Sequence, residues 1–562
     1  MTAVSSAHPP TQSVLTGIHG ALAAGDVDHA TALAETALFE GQESPLLLNL
    51  AAHKREIEGR YPAAIDLLHQ GLRLEPNDPF ILNSLGGVLT KSGRPREALA
   101  MFDQALSVDP DFAVAHHGRG LALATLGDPV NAWTAHARAN ELDPNYPDPI
   151  GALAAMAAEG GDFVVAKSLA AQALALDPNQ AAATLSLARI ALHDHDELAV
   201  VDLIEPLIGR GNLTTLHAAA AERLRADALD ALGRYDEAMS AYLSANRSLR
   251  SVYMAGVEDV GLELGVELCA RLHEHFATIL PKRPPASRNE APAPGGIREH
   301  VFLLGFPRSG TTLLEQVLAT HPDVGALEER PTLDPILPTY FDDAAALARL
   351  EALDGDALTR ERDDYWGRVA QFDVDISKPV FIDKLPLNTI YLPLIAKLFP
   401  TAKVILALRD PRDVVVSCFR RRFRANTLVV EYTDLVRTAR LYDGVMGLGE
   451  LYRRHLGLPF YVHRHESLVD DFESETRALC AFLNVDWRED LRDFVATAER
   501  RDIQTPSANQ VRRGLYREGM AQWRRYESGL AEVLPILQPW VERFGYASQS
   551  GHAAADPSVT GA

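Results

Sequence analysis

The first residues of chemical interest form a glycine-rich turn, Gly305-Phe-Pro-Arg-Ser-Gly310-Thr-Thr, between an apolar run and a helical pattern. The two glycines have the Gly-x4-Gly spacing of a phosphate-binding loop, in which positive-φ turns aim backbone N–H groups at an anion and a helix N-terminus adds its dipole. Thr311 stands where such loops usually carry a lysine, and Arg308 supplies a cation three residues earlier. The missing lysine argues against hydrolysis of a nucleoside triphosphate, but the loop still predicts binding of a phosphate-like group.

A second basic segment, RDPRDVVVSCFRRRFR, begins at Arg409 directly after another apolar run. Arg409, with Ser417 and Arg421 one turn apart on a helix, can converge on one small dianion, because guanidinium groups bind phosphate bidentately and a hydroxyl adds a hydrogen bond. A solvated basic helix face explains such an arginine run equally well when the run is seen alone. Two anion sites at the ends of neighbouring strands favour one nucleotide with phosphates at both ends of its ribose.

The elements that position these residues are alternating strands and helices in the second half of the chain. Four short apolar runs predict strands at 300–305, 379–383, 402–410 and 459–465. The helical patterns between them are typical of βαβ units and a parallel sheet, in which ligands bind at the carboxyl ends of the strands. The polar residues that follow the runs are therefore the ones to examine: Arg308, Lys384, Arg409 and Glu466.

The first half of the chain repeats every 34 residues. Prolines, glycines and alanines recur in phase at Pro76, Pro110, Pro144 and Pro178, at Gly59, Gly93, Gly127 and Gly161, and at Ala64, Ala98, Ala132 and Ala166. One unit reads as helix, glycine turn, helix and Asp-Pro break, with the proline opening the next helix. Residues 16–250 resemble the tetratricopeptide repeat, with one degraded unit at 181–212. The resemblance implies a superhelix whose groove binds a protein or peptide, while a scaffold for dimerisation or stability remains an alternative.

Residues 298–545 resemble the sulfotransferases that use 3′-phosphoadenosine 5′-phosphosulfate (PAPS), and within them the tyrosylprotein sulfotransferase branch. The resemblance rests on PRSGTTLLEQVLATHPDVGALEE, on RDPRDVVVSCFRR and on the later SANQV, which occur in the same order as in that branch. It implies a multidomain chain in which an all-α tetratricopeptide-repeat superhelix precedes an α/β, P-loop-like sulfotransferase domain with a parallel sheet.

The resemblance also implies roles for individual residues. Three match catalytic groups, with Glu329 as general base and with Lys384 and Ser507 as stabilisers of the departing phosphate. His465 stands where the branch has a tyrosine near the nucleotide, and Gln522 where it has a nucleotide-binding lysine. By this resemblance, the residues that bind the 5′-phosphosulfate of PAPS are Arg308, Ser309, Gly310, Thr311 and Thr312. Those that bind the 3′-phosphate are Arg409, Ser417 and Arg421. No metal is expected, because neither phosphate group belongs to a chelating chain.

Composition sets the remaining expectations. A net charge of −22 argues against nonspecific nucleic-acid binding. The sequence contains no run of about 18 apolar residues, so no membrane span is expected. Three scattered cysteines and an N-terminus without signal-peptide features indicate a cytoplasmic protein. The predicted organisation is a disordered tail at 1–15, repeats at 16–250, a connecting helix at 251–280, a Pro/Ala-rich linker at 281–297, the α/β domain at 298–546 and a disordered tail at 547–562.

These observations predict an enzyme that moves a sulfuryl group from PAPS to a hydroxyl acceptor recruited by the repeats. The acceptor stays open among a protein tyrosine, a carbohydrate, a lipid and a small phenol, because Arg330 directly follows Glu329 where the branch places one residue between them. Two alternatives remain. An atypical P-loop kinase would turn over ATP, and a repeat-based adaptor with an inactive nucleotide-binding domain would bind partners but not the donor.

Overall fold

A computed structural model describes residues 8–280, 293–421, 423, 427–501, 514–515, 517 and 519–547 of the 562-residue chain, with the backbone alone at 255–260 and 500. The chain divides into two compact units, Met1–Gly261 and Leu262–Ala562. The first unit is built from helices, and the second contains a five-stranded parallel sheet. Among the described residues, no helix is long and apolar enough to cross a membrane.

The first unit is a succession of helices in which each packs against the next. Its helices are α1 (Gln12–Ala23), α2 (Val27–Phe39), α3 (Pro45–Ile57), α4 (Tyr61–Leu74), α5 (Pro79–Lys91), α6 (Pro95–Val108), α7 (Ala113–Leu126), α8 (Pro129–Leu142), α9 (Pro147–Glu159), α10 (Phe163–Leu176), α11 (Ala181–His193), α12 (Glu197–Gly209), α13 (Thr215–Ala231) and α14 (Tyr235–Val260). The repeated alanines Ala64, Ala98, Ala132 and Ala166 are fully buried, as expected of small residues where two helices approach closely.

The repeated prolines lie in the turns between units, so the prediction that they open the next helix is wrong. Helix α4 ends at Leu74, Pro76 lies in the turn after it, and Asp78 caps the N-terminus of α5 by accepting hydrogen bonds from two backbone N–H groups. Proline cannot continue a helix and therefore fits just beyond its end, whereas an N-cap position favours a side-chain acceptor such as that of Asp78. Pro79, one residue after the cap, is the proline that opens α5.

The degraded unit keeps the helix pair of its neighbours. The glycine turns adopt positive φ, for example 82° at Gly161, and the in-phase position one repeat later is His195 with φ of 59°. A non-glycine residue pays a steric cost in this left-handed region, although histidine is among the residues that tolerate it better. The turn geometry has therefore persisted after the glycine was replaced.

The second unit is an α/β domain whose sheet has the order β2-β3-β1-β4-β5, with all neighbours parallel. Its strands are β1 (Glu299–Gly305), β2 (Val324–Glu328), β3 (Val380–Lys384), β4 (Lys403–Leu408) and β5 (Phe460–Arg464). Its helices are α15 (Gly265–Ile279), α16 (Thr311–Ala319), α17 (Leu337–Phe341), α18 (Ala344–Ala352), α19 (Gly355–Val369), α20 (Leu392–Leu398), α21 (Pro411–Phe419), α22 (Leu435–His455), α23 (His465–Asp470), α24 (Phe472–Leu483), α25 (Phe494–Arg500) and α26 (Leu534–Arg543).

The sheet is buried because its strands are almost continuously apolar. Val301 and Leu303 of β1 pack with Ile382 of β3 and Ile405 of β4 in one core cluster, as expected of a parallel sheet covered on both faces. Segment 251–280 contains the end of α14 and all of α15, and α15 packs on α22 within the second unit. Most of the predicted linker and of the C-terminal tail lies outside the described residues.

Candidate active site

The predicted site residues follow the carboxyl ends of the strands and therefore meet at one edge of the sheet. Arg308 lies just beyond β1, Lys384 ends β3, and Arg409 directly follows β4. Glu329 follows β2, a strand that the sequence analysis missed because VGALE contains a single β-branched residue and sits between polar residues. This edge is where ligands bind in parallel α/β folds.

The glycine-rich turn has the backbone of an anion-binding loop. Gly305 and Gly310 adopt φ of 149° and 88°, and α16 begins directly afterwards at Thr311. A Cβ on Gly305 would lie 2.6 Å from the carbonyl oxygen of Ala407 on β4, so only glycine fits there. Arg308 also has a positive φ, 72°, which the sequence analysis did not foresee. Ser309, Thr311 and Thr312 are buried in the loop and the first turn of α16.

The two predicted anion sites adjoin each other. The Arg308 side chain donates a hydrogen bond from Nε to Ser417 Oγ at 3.0 Å, which ties the glycine-rich loop to α21. Arg409 donates from Nη1 to the Arg308 carbonyl oxygen at 3.3 Å and from Nη2 to the Gly519 carbonyl oxygen. Its buried Nε has no hydrogen-bond partner among the described residues. A guanidinium with a buried, unused donor next to the loop is suited to an anionic ligand.

Arg421 occupies a different position from the one expected. Helix α21 ends at Phe419, so Arg421 lies beyond the helix and not one turn from Ser417 upon it. Its side chain is exposed. The helix ends early because the chain enters a bend after Arg420, which the run of arginines did not signal.

His465 lies against the glycine-rich loop. A Cβ built on Gly310 would lie 2.5 Å from His465 Nδ1, so the absence of a side chain at Gly310 makes room for this ring. Burial lowers the pKa of His465 well below its ordinary value, and Arg409 adds to the shift. His465 Nδ1 is buried without a hydrogen-bond partner in the described structure. The imidazole is therefore neutral and faces the loop.

Lys384 is fully buried and surrounded by carboxylates. Its Nζ lies 2.9 Å from Glu329 Oε1, 3.3 Å from Glu315 Oε2 and 3.7 Å from Glu328 Oε1. Burial disfavours the charged ammonium, but these carboxylates, Glu315 first among them, outweigh burial and raise the pKa of Lys384. Burial raises the pKa of Glu328, with Lys384 opposing the shift. The site thus pairs a permanent cation with a half-exposed carboxylate, Glu329.

The loop that carries Glu329 is anchored to β3 and α19. Glu329 has φ of 39°, and its N–H donates to the Lys384 carbonyl oxygen at 2.7 Å. Three residues later, Thr332 donates from Oγ1 to Asp383 at 2.8 Å and accepts from Arg368 Nε at its carbonyl oxygen. Asp383 also accepts a hydrogen bond from the Tyr365 hydroxyl at 2.7 Å. These contacts hold Glu329 next to Lys384.

One buried carboxylate of the site, that of Asp413, was missed by the sequence analysis. Asp413 accepts hydrogen bonds from the backbone N–H groups of Ala521 and Trp523, and burial raises the pKa of Asp413 to about 6, against the effect of Arg409. A helical Asp usually indicates a solvated face, so nothing local signalled its burial. Glu466, which the sequence indicates as a polar residue at a strand end, is also buried and accepts from the Asp410 N–H and the Tyr546 hydroxyl.

Ser507 lies outside the described residues, as does the whole of SANQV. Gln522 is described and lies at the start of a 3₁₀ helix, Gln522–Leu530. Its neighbour Trp523 stacks under the Arg412 guanidinium at 4.1 Å from the ring centroid. Within the described ranges, no group of three or more His, Cys, Asp or Glu side chains is arranged to hold a metal ion.

The parallel sheet and its glycine-rich loop define an α/β domain of the P-loop-like class. In the sequence this domain follows an array of helical repeats. Comparison with protein families agrees. The sulfotransferase family model matches residues 300–489, and a tetratricopeptide-repeat model matches residues 57–121. The chain therefore contains tetratricopeptide repeats followed by a sulfotransferase-family domain.

Three relatives illustrate the similarity. An uncharacterised protein of Aquifex aeolicus is 32% identical over 248 residues, which cover 42% of this chain and 32% of that protein. The chain thus spans about a third of this relative's length. Protein-tyrosine sulfotransferase 1 of Danio rerio is 27% identical over 46% of this chain and 76% of its own. A solved tetratricopeptide-repeat protein from Thermus thermophilus is 26% identical, with a TM-score of 0.27 over 30% of this chain and 91% of its own.

Proposed function

We propose that the protein is a sulfotransferase that moves a sulfuryl group from PAPS to a hydroxyl acceptor. The observation that carries the proposal is that the Arg308–Ser417 hydrogen bond joins the two predicted anion sites, the glycine-rich loop and the start of α21, at one edge of the sheet. The Lys384–Glu329 pair lies at the same edge. One anion site suits a phosphosulfate and the other a separate phosphate. The match to the sulfotransferase family supports this assignment.

The residues present fit the donor. The glycine-rich loop, Arg308 to Thr312, would hold the 5′-phosphosulfate through backbone N–H groups at the start of α16. Arg409 and Ser417 would hold the 3′-phosphate, and Arg421 would need to turn inward to join them. Two buried nitrogen atoms beside the loop, Arg409 Nε and His465 Nδ1, have no hydrogen-bond partner among the described residues. Such groups are expected where a polar ligand belongs.

PAPS supplies an activated sulfuryl group whose transfer forms a bond from the acceptor oxygen to sulfur and breaks the bond from sulfur to the phosphate oxygen. Glu329 takes the proton of the attacking hydroxyl, because its carboxylate is partly exposed at the edge of the site. Lys384 and, by resemblance, Ser507 donate hydrogen bonds to the departing phosphate. Loss of one such donor costs about 10²–10³ in rate.

A polypeptide is the acceptor class that the structure and the comparisons support best. Several similar proteins are named protein-tyrosine sulfotransferases, so a tyrosine hydroxyl is the first acceptor to test. The first unit contains a pocket of about 230 Å³ across α3, α5 and α7, and this pocket supports polypeptide recruitment. Its polar lining consists of Asn49, His53, Glu56, Asn83, Ser84 and His117.

The test begins with calorimetric binding of 3′,5′-bisphosphoadenosine, ADP and ATP without metal, on the wild type and on Arg409→Ala. The bisphosphate should bind most tightly, and Arg409→Ala should weaken it at least tenfold because a charge-assisted contact is lost. Arg440→Ala, an exposed arginine of α22 outside the predicted site, is the matched variant that measures the effect of losing one positive charge.

Sulfate transfer from labelled PAPS to a tyrosine peptide is measured next, with Glu329→Gln as the variant. Its rate should fall by about 10²–10⁴, because the acceptor proton then lacks its base. Equal binding of the three nucleotides, a requirement for Mg²⁺ or turnover of ATP would overturn the proposal in favour of a kinase. Donor binding without transfer to any hydroxyl would favour the adaptor.

A further inference from the structure

The buried charge of Lys384 needs a counter-ion that survives the reaction. Its side chain is fully inaccessible to solvent, and an isolated ammonium in such a place loses its proton or moves. In the resting site its hydrogen bond goes to Glu329, 2.9 Å away. This inference rests on the proposed function, in which Glu329 becomes neutral when it takes the acceptor proton.

Glu328 is a poor permanent anion for the same lysine. Its carboxylate is 3.7 Å from Lys384 Nζ, the longest of the three distances, and burial raises the pKa of Glu328. Its Oε1 is buried without a hydrogen-bond partner among the described residues. The longest distance and the raised pKa make Glu328 the weakest counter-ion of the three.

Glu315 differs from both because a second cation holds it. It lies on α16, the helix that begins at the glycine-rich loop, and its side chain is fully buried. Its Oε2 is 3.3 Å from Lys384 Nζ, and its Oε1 is 3.1 Å from Arg501 Nη2. Arg501 is in turn anchored by hydrogen bonds to the Ala326 carbonyl oxygen at 2.9 Å and to Gln316 Oε1 at 3.2 Å.

We propose that Glu315 is a positioning residue whose carboxylate, held between Arg501 and Lys384, is the counter-ion that keeps Lys384 charged and in place throughout the transfer. It accepts no proton from the substrate. Both Glu315 oxygens are close to cations but lack well-aligned hydrogen bonds. The carboxylate therefore acts through its charge, and Lys384 Nζ keeps donors for Glu329 and for the departing phosphate.

The test is the pH dependence of kcat in Glu315→Gln, which keeps the shape of the side chain and removes its charge. Between about pH 8 and pH 10 the wild-type rate should stay level, because the lysine remains protonated. In the variant the rate should fall by about threefold or more over this range, since loss of a nearby opposite charge lowers the pKa of a lysine by about one unit or more. Glu315→Asp should restore the level profile.

Two further variants separate charge from folding. Glu315→Gln/Arg501→Gln removes the guanidinium that the single variant leaves without its carboxylate, and it should show the same loss of rate at high pH. Glu450→Gln removes a similarly buried carboxylate that pairs with Arg453 and Arg543, outside the site. It should keep the wild-type profile. A level profile in Glu315→Gln, or one reduced equally at every pH, would overturn the proposal.

Binding of 3′,5′-bisphosphoadenosine at pH 8 and pH 10 separates this proposal from the proposed function. Lys384 contributes to binding the 5′-phosphate in the proposed function, so the affinity of Glu315→Gln should fall over this interval by about threefold more than that of the wild type. If the wild type binds the bisphosphate without transferring sulfate, the proposed function fails and this comparison still decides the role of Glu315. Absence of wild-type binding would overturn both.

Discussion

Asp383 and Lys384 are neighbours on β3 with opposite tasks. Lys384 joins the carboxylates of the site, whereas Asp383 lies in a buried network with Thr332 and Tyr365. Successive side chains of a strand point to opposite faces of the sheet, which explains how adjacent residues serve different surroundings. Burial raises the pKa of Asp383 to about 6, partly offset by the hydrogen bonds from Tyr365 and Thr332.

This raised pKa predicts a pH-dependent contribution to stability. The unfolded chain releases the Asp383 proton near its ordinary pKa of 3.8, but the folded protein releases it near 6. Between these values the folded state binds more protons, so the contribution of Asp383 is most favourable below pH 4 and is lost as the pH rises through 6. The loss amounts to about 3 kcal/mol at most.

Asp383→Asn should remove this dependence. The free energy of unfolding of the wild type minus that of the variant should therefore decline between pH 4 and pH 7. Urea unfolding followed by tryptophan fluorescence measures it, because four of the five tryptophans (366, 487, 523 and 540) lie in the second unit. Asp373→Asn, which removes an exposed carboxylate, is the control. A constant difference across this range would contradict the prediction.

At the scale of elements, one repeat turn keeps its positive-φ backbone although histidine replaces the usual glycine. His195 adopts the positive φ of the glycines before it, and its exposed side chain lies 3.8 Å from Glu197 through Nδ1. Such an exposed contact contributes little. The left-handed backbone is thus the main cost of histidine at this turn.

His195→Gly should raise the free energy of unfolding of the first unit. Relief of the backbone cost exceeds the added entropy of glycine in the unfolded chain, so the gain should be a few tenths of a kcal/mol to about 1 kcal/mol, measured by thermal unfolding followed by circular dichroism. The matched variant is Gly161→Ala, because a Cβ there meets no atom within 4 Å and only φ opposes it. It should destabilise the unit by about 1 kcal/mol. A His195→Gly variant less stable than the wild type would contradict this account.

At the scale of the whole molecule, the proposed function assigns the two units different parts of one reaction. The second unit carries the anion-binding edge, and the first carries a pocket lined by the half-buried amides of Asn49 and Asn83, one repeat apart. Carboxamide side chains match the donors and acceptors of a polypeptide backbone. The repeats are expected to act on acceptor affinity and not on the chemical step.

Asn49→Ala/Asn83→Ala should therefore impair use of a polypeptide more than use of a small phenol. Loss of two hydrogen bonds predicts a fall of about 10–30-fold in the ratio of kcat/KM for a tyrosine-containing polypeptide to kcat/KM for a phenol. Gln172→Ala, an exposed amide on α10, is the control. An unchanged ratio would indicate that the repeats serve another role, such as dimerisation.

Much of the local structure was predictable because it depends on neighbours in sequence. The 34-residue period located the helices of the repeat array, and the Gly-x4-Gly spacing located the anion-binding loop with its positive φ angles. Where a second local requirement competed, the prediction was wrong. The repeated prolines lie in the turns, two residues before N-cap positions such as Asp78. The strand β2 was missed because its five residues lack a distinct β pattern.

The sequence by itself determined which residues are available for anion binding and proton transfer, and it indicated that they follow strand ends. Only the tertiary structure decided which of these residues are in contact and how burial and neighbouring charges change their properties. The order β2-β3-β1-β4-β5 brings Glu329 to Lys384, 55 residues away, and joins Arg308 to Ser417, 109 residues away. Burial turns Glu315 from an ordinary helical glutamate into a partner of Lys384. The energy of a charge depends on the solvent and charges around it, and long-range packing decides both.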